Sequence, residues 1–373
     1  MWKYFPMLPL TERSAIVSLA EGGTPLLGAG RLAEMLGLRD LTLKDETRNP
    51  TGSFKDRMLA VGIARARELG KTTVAVQSSG NVAAAAAAYA AKAGLEAKVF
   101  VPRTVPEEKL LQIRMYGADL FRIDHPSPTA VFELLRQASE ALGWYIVSTT
   151  ALYNPFVLEG AKTIAYELAE QTDFNPPEWL IVPVGGGGNL GTLWRAFQEM
   201  KELGLVRRLP RLVGAQAAGC APFVEAVREG LTAQEAARRR WPEIQTICGA
   251  IADDVVFDAH LALPAVRESG GRALAVSDED TLAMEQLLAT TEALFVEPSS
   301  ATGLAALRRL VAEGVVERES SVCCLLTGAG LKDPGSAKKL LAPAELLPAT
   351  PEAVLARARE VEAQSSKAKN YAP

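Results

Sequence analysis

Asn49-Pro50-Thr51-Gly52-Ser53-Phe54-Lys55-Asp56-Arg57 sets one lysine directly after a tight glycine turn. Ser53 followed three residues later by Asp56 reads as a capping box, which makes Ser53 the expected N-cap and Lys55 the second helical residue. An ammonium there faces the positive end of the helix dipole. Its pKa is expected to fall, leaving a free amine available as a nucleophile or imine former. A lone lysine on a helix is ordinarily just solvated, so the weight of this reading rests on what the chain brings around it.

From residue 41 onward, short β-rich runs alternate with helical stretches. Strands are expected at 41–44, 72–77, 97–101, 120–123, 145–148, 180–184, 212–215 and 321–327, and helices at 54–69, 82–93, 107–116, 129–142 and 158–170. This alternation predicts an α/β protein with parallel twisted sheets and helices on both faces. Ligands in such sheets bind beyond the carboxyl ends of the strands. Three segments fall there: Ser78-Ser79-Gly80-Asn81, Gly185-Gly186-Gly187-Gly188-Asn189, and Thr327-Gly328-Ala329-Gly330.

The glycine run lies between a strand and helical residues 190–200, so its backbone N–H groups can converge on an anion. Gly186-Gly187-Gly188-Asn189-Leu190-Gly191 also has dinucleotide spacing, yet the next strand runs into Ala217-Ala218-Gly219 and offers no acidic ribose partner. No Lys-Ser/Thr follows to make a Walker A loop. A non-catalytic or NAD-binding α/β protein is the alternative, and Lys55 argues against it.

The 373 residues are 48% hydrophobic and 23% charged, enough for about two domains. A net charge of -4, with Lys and Arg dispersed, excludes a nucleic-acid footprint. The alanine-rich residues 82–91 are too short to span a membrane and instead favour helix. Two histidines and four cysteines without ligand spacing predict no metal site. Reduced core thiols and the lack of a signal-peptide pattern suit the cytoplasm.

Taken in chain order, Glu21-Gly22-Gly23-Thr24-Pro25-Leu26, the Lys55 motif, Ser78–Asn81, the glycine run, Glu297-Pro298-Ser299-Ser300-Ala301 and Thr327-Gly328-Ala329-Gly330-Leu331-Lys332-Asp333 resemble the threonine synthase family. Those are fold-type II pyridoxal phosphate (PLP) enzymes, relatives of tryptophan synthase β. The resemblance implies a smaller domain of residues 50–155 carrying Lys55 and Asn81, and a larger one of 1–49 and 156–373 carrying the glycine loop. It implies PLP as cofactor and Lys55 as the Schiff-base lysine and proton carrier. Asn81 would hydrogen-bond the phenolic oxygen, and Gly185, Gly186, Gly187, Gly188 and Asn189 would hold the cofactor phosphate. Thr327 would face the pyridine nitrogen, while Ser78, Ser79 and Gly80 would receive the substrate carboxylate. Asp56, Arg57 and Glu297 would support the loops. The family likeness also implies an amino-acid substrate and a homodimer.

The implied reaction is loss or replacement of a group at the β or γ carbon of an amino acid. A neutral hydroxyl at Thr327 does not keep the pyridine nitrogen protonated, which favours elimination. The family default converts O-phosphohomoserine to threonine. Val157 and Gly186, however, stand where an arginine and an asparagine are expected to hold the substrate phosphate, and charge-assisted hydrogen bonds carry most of such recognition. Lys109 or Arg114 would have to compensate. The alternatives are a serine or threonine ammonia-lyase and a β-replacement synthase.

Overall fold

The computed structural model describes residues 1–369. Met1–Ala337 form one compact unit, and described residues 338–369 belong to a second, in which Arg357 pairs with Glu345 and Glu360. Two sheets organise the first unit. The strands are β1 Leu26–Gly28, β2 Asp40–Asp45, β3 Thr73–Gln77, β4 Glu96–Pro102, β5 Asp119–Ile123, β6 Tyr145–Ile146, β7 Trp179–Pro183, β8 Arg211–Ala217, β9 Arg272–Val276 and β10 Ser321–Leu326. Six strands run in the order β1-β2-β10-β7-β8-β9, and four in the order β5-β4-β3-β6. Every pairing is parallel except β1 with β2. The α/β class read from the sequence therefore holds, with β1 and β9 added. Among the described residues, no helix is long and apolar enough to cross a membrane.

Trp179–Pro183 is buried along its whole length, as a parallel strand covered on both faces must be. The Lys55–Glu68 helix is likewise enclosed nearly all round, with Met58, Leu59, Ala60, Val61, Ile63 and Ala64 inaccessible. Two features let neighbours approach it closely. Residues 83–88 of the Asn81–Ala93 helix are all alanine and all buried. On the other side, a Cβ at Gly160 would collide with the Arg57 carbonyl.

The start of the Lys55–Glu68 helix departs from the expected capping box. Phe54 is the N-cap, without a side-chain cap, and Lys55 is the first helical residue. Ser53 Oγ is buried without a partner, while Asp56 turns back to accept from Thr51 N–H and Thr51 Oγ1, both at 2.8 Å. The Ser53 segment is used elsewhere: it bridges to Gly328, and Phe54 N–H donates to Thr327 O at 3.0 Å. Pairing with the loop after β10 thus wins over a local cap, and it ties the lysine to the six-stranded sheet.

Arg57 completes that tie. Its fully buried guanidinium donates to Glu46 from Nε (2.6 Å) and Nη2 (2.8 Å), and to Glu167 from Nη1 (2.8 Å) and Nη2 (2.6 Å). Thr24 and Thr163 hydroxyls take further bonds, and Lys44 adds a second cation on Glu167 at 3.1 Å. Burial pushes the Glu167 carboxyl up, but the hydrogen bonds and charge of Arg57, then Lys44, outweigh it and hold it at about 2. Such a carboxylate stabilises the fold above its unfolded pKa of about 4.3, and that contribution is lost as pH falls toward 2. Removing one member of a buried network strands the others' charges. Arg57→Ala is predicted to destabilise the protein by about 3–5 kcal/mol in urea unfolding; a loss under about 1 kcal/mol would show that the network is dispensable.

Candidate active site

A cavity of about 1290 Å³ opens where the strand ends of both sheets converge, and its walls include Lys55, residues 78–81, the four glycines and Thr327. The structure thus brings Lys55, Ser78, Ser79, Gly80, Asn81, Gly185, Gly186, Gly187, Gly188, Asn189 and Thr327 to one place. Lys55 Nζ has one weak hydrogen bond, to Thr149 Oγ1 at 3.5 Å, and lies 4.6 Å from the centre of the Phe54 ring. Burial pulls its pKa down to about 8, against the opposing pull of Asp253, then Asp258 and Glu297. The lowered pKa expected from the helix dipole is present, with desolvation as its main cause.

The segment 78–81 follows β3. Ser78 Oγ accepts from Gly80 N–H at 3.2 Å, and Asn81 opens the alanine-rich helix. Asn81 Nδ2 donates to both oxygens of Glu297, at 3.1 and 3.2 Å. Burial lifts Glu297 to about 7, opposed by the Asn81 bond and then the Lys332 charge. Thr327 is held from behind: Ser300 Oγ lies 2.8 Å from its Oγ1 and accepts from the Thr327 and Gly328 N–H groups at 3.0 and 2.8 Å.

The glycine loop joins β7 to the Gly188–Glu202 helix. Gly187, its N-cap, has φ +99°, and a Cβ there would lie 2.7 Å from Ala262 Cβ, so glycine is needed for both backbone and space. The loop presents main-chain N–H groups at the start of a fifteen-residue helix, a fit for a phosphate. Next to it, the amide of Asn189 has neither Nδ2 nor Oδ1 partnered. An unpartnered buried amide, a glycine turn at a helix start and a lysine of lowered pKa around one cavity fit PLP.

Sequence reasoning missed the residues behind the glycine loop. Asp253 and Asp258, with Phe257, come from the segment between Gly249 and the Ala259–Glu268 helix. Asp258 accepts from Ala151 N–H at 2.8 Å, and burial raises it to about 6 against that bond and Lys55. The only trace in the sequence is Asp253-Asp254-Val255-Val256-Phe257-Asp258 itself. The substrate-phosphate positions also look different in three dimensions. Val157 is fully buried and packs beside Gly62, where a Cβ would lie 2.8 Å from Val157 Cγ2, and it does not border the cavity. Arg114 points to solvent and pairs with Glu107, whereas Lys109 reaches the cavity but pairs with Asp333 at 3.4 Å.

The sequence profile of the pyridoxal-phosphate dependent enzyme family matches residues 17–328. Threonine synthase of Methanocaldococcus jannaschii is 41% identical over 338 residues, covering 90% of this chain and 82% of that protein. Threonine synthase of Methanosarcina acetivorans is 43% identical over 335 residues, covering 90% and 80%. Among solved structures, the L-serine ammonia-lyase of Rhizomucor miehei superposes with a TM-score of 0.73 at 24% identity, over 86% of this chain and 99% of that one, which speaks for the fold. The chain belongs to the pyridoxal-phosphate dependent enzymes and, within them, to the threonine synthase family. It is a PLP-dependent lyase of the fold-type II class.

In the cofactor-free protein, labelling of Lys55 by an amine-reactive reagent is predicted to rise with a midpoint near pH 8, by peptide mass spectrometry. Solvent-exposed lysines should show midpoints near 10.4. A Lys55 midpoint at that ordinary value would mean that the cavity does not desolvate the amine.

Proposed function

We propose that Lys55 is the amine that holds PLP and carries the substrate α-proton in an elimination or replacement at the β or γ carbon of an amino acid. The observation that carries this reading is a half-buried amine of pKa about 8, with one weak hydrogen bond, lining the same cavity as the glycine turn at a helix start. At neutral pH a measurable share of such an amine is unprotonated, so it can both attack a carbonyl and take up a proton. When bound, PLP supplies an electron-withdrawing ring that stabilises negative charge at the substrate α-carbon.

The remaining roles follow from the donor sets. Main-chain N–H groups of Gly185, Gly187 and Gly188, with the Asn189 amide, hold the phosphate, and that of Gly186 joins them by leaving the Asp253 carboxylate it otherwise bonds. Asn81, its amide turned by Glu297, faces the ring oxygen, and Thr327, turned by Ser300, faces the ring nitrogen with a neutral hydroxyl. Ser78, Ser79 and Gly80 receive the substrate carboxylate on a loop whose Gly80 is exposed. The four-stranded and six-stranded sheets then act as the smaller and larger domains, Lys55 lying at their junction. We further infer a cytoplasmic homodimer: the four cysteines are free and buried, and apolar side chains such as Leu111 and Met115 stand exposed.

O-phosphohomoserine is the substrate of the family default, and conversion to threonine is one form of this reaction. Serine or threonine deamination and β-replacement are others that the same lysine chemistry allows. The test of the shared chemistry is the lysine. Borohydride reduction of the PLP-loaded protein should attach the cofactor to the peptide containing Lys55, and Lys55→Ala should lose that adduct and roughly 10²–10⁴-fold or more in turnover. An adduct on a different lysine would overturn the assignment.

A further inference from the structure

Three hydroxyl residues, Ser148, Thr149 and Thr150, line the cavity just beyond the carboxyl end of β6. Thr149 Oγ1 accepts the one hydrogen bond of Lys55 Nζ, at 3.5 Å. Because β6 pairs in parallel with β3, this loop leaves the sheet beside Ser78–Gly80, the segment that receives the substrate carboxylate in the reading above. The loop is pinned on both sides of Thr149. Val147 N–H donates to Ala75 O at 2.9 Å, Asn154 Nδ2 to Ile146 O at 2.8 Å, and Ala151 N–H to Asp258 at 2.8 Å. Thr150 O accepts from the Tyr153 and Asn154 N–H groups at 3.1 and 3.0 Å.

An ammonium has hydrogens to give and no lone pair, so the bond between the charged amine and Thr149 runs from Nζ to Oγ1 and turns the hydroxyl's own hydrogen away from Lys55. Among the described residues Thr149 Oγ1 has no second partner, which leaves that hydrogen for a molecule in the cavity. Ser148 Oγ, by contrast, already accepts from Thr150 N–H at 3.2 Å. The charged side chains that act on Lys55 are Asp253, Asp258 and Glu297, and each accepts elsewhere: from Gly186 N–H, from Ala151 N–H and from Asn81 Nδ2. An ionised carboxylate only accepts. A hydroxyl with one bond received and one to give can take up a proton and release another in the same motion.

We propose that Thr149 is a further catalytic residue, whose hydroxyl relays a proton between Lys55 and the water that joins or leaves the substrate β carbon. The inference rests on the reading of Lys55 given above. In the direction of addition, the water oxygen bonds to the β carbon and the electron pair of the Cα=Cβ bond moves to the α carbon. The water's surplus proton passes to Thr149 Oγ1, the Thr149 proton to Lys55, and a Lys55 proton to the α carbon. Run backward, the same transfers take the α-proton and expel a β-hydroxyl as water, with no oxidation or reduction in either direction. Formation of threonine and deamination of serine or threonine share this step. Chloride or phosphate departs as a stable anion and does not call on the relay.

The PLP-loaded protein and its Thr149→Val and Thr149→Ser variants would be given L-serine, L-threonine, O-phospho-L-homoserine and β-chloro-L-alanine, with keto acid, ammonia, threonine and phosphate measured. Thr149→Val should lose roughly 10²-fold or more in kcat for water loss from serine or threonine, or for threonine formation, with KM little changed. Its kcat for chloride loss from β-chloroalanine should fall at least about tenfold less. Where the ester is a substrate, its phosphate should then be released together with 2-oxobutyrate in place of threonine. Thr149→Ser should restore most of the lost rate. In the cofactor-free protein, Thr149→Val should also move the Lys55 labelling midpoint below its value near 8, because the ammonium loses its acceptor, and Thr149→Ser should return it. An equal loss on every substrate, an undiminished rate of water loss or addition, or an unmoved Lys55 midpoint overturns the proposal. A wild-type protein that expels chloride but neither adds nor removes water defeats it and leaves the Lys55 reading intact. Failure to expel any group from any of the four amino acids, with PLP bound, overturns both.

Discussion

The buried pairing of Arg57 with Glu46 and Glu167 is the constraint on which the rest of the site depends. Arg57 is two residues beyond Lys55, and its partners lie just after β2 and on the Lys162–Gln171 helix. A guanidinium can be buried only where carboxylates and hydroxyls meet its fixed fork, so the network permits essentially one position for the first turn of the lysine's helix. Lys44 and Arg57 balance Glu46 and Glu167 in charge, and Thr24 and Thr163 saturate the remaining donors. An apolar replacement of similar volume would fill the space without fixing the angle. The network's worth therefore lies in placing Lys55 as much as in stability.

Placement then determines chemistry through desolvation. The same enclosure that depresses the lysine's pKa lifts Asp258, Glu297 and Asp253. An amine at about 8 and two carboxyls, Asp258 at about 6 and Glu297 at about 7, thereby share one cavity, which is the condition for proton exchange near pH 7. Glu297 has a second duty, because its two oxygens fix the amide of Asn81, just as Ser300 fixes the hydroxyl of Thr327. In both pairs a residue on or next to the Pro298–Ala312 helix orients one that faces the cavity.

The parts legible in the sequence were those encoded by local pattern. Alternating runs gave the parallel strands from β2 to β8 and β10, and each strand end delivered the polar or glycine-rich segment expected of it. Short β1 and β9 escaped, since three and five residues of mixed polarity carry little periodicity and gain their partners from the sheet. The capping box failed for a related reason: Ser53 and Asp56 have the right spacing, but a bridge to Gly328 some 275 residues away outcompetes a local cap. Asp253 and Asp258 were invisible as site residues because nothing in their own segment points to a ligand. Only the close approach of that segment to the glycine turn makes them neighbours of Lys55.

That last relation separates two tasks within the fold. The segments that suit the cofactor sit at strand ends, where sheet register, helix starts and the Arg57 network leave little freedom. Asp253 and Asp258 sit on an irregular segment that packs behind the glycine turn, joined to it by the Asp258 N–H to Gly186 O bond at 2.8 Å. Changing the side chains of such a segment alters the potential in the cavity without disturbing a strand or a helix start. The architecture that positions Lys55 and the glycine turn is thus separable from the loop that sets the potential beside them, and fold alone does not name the substrate.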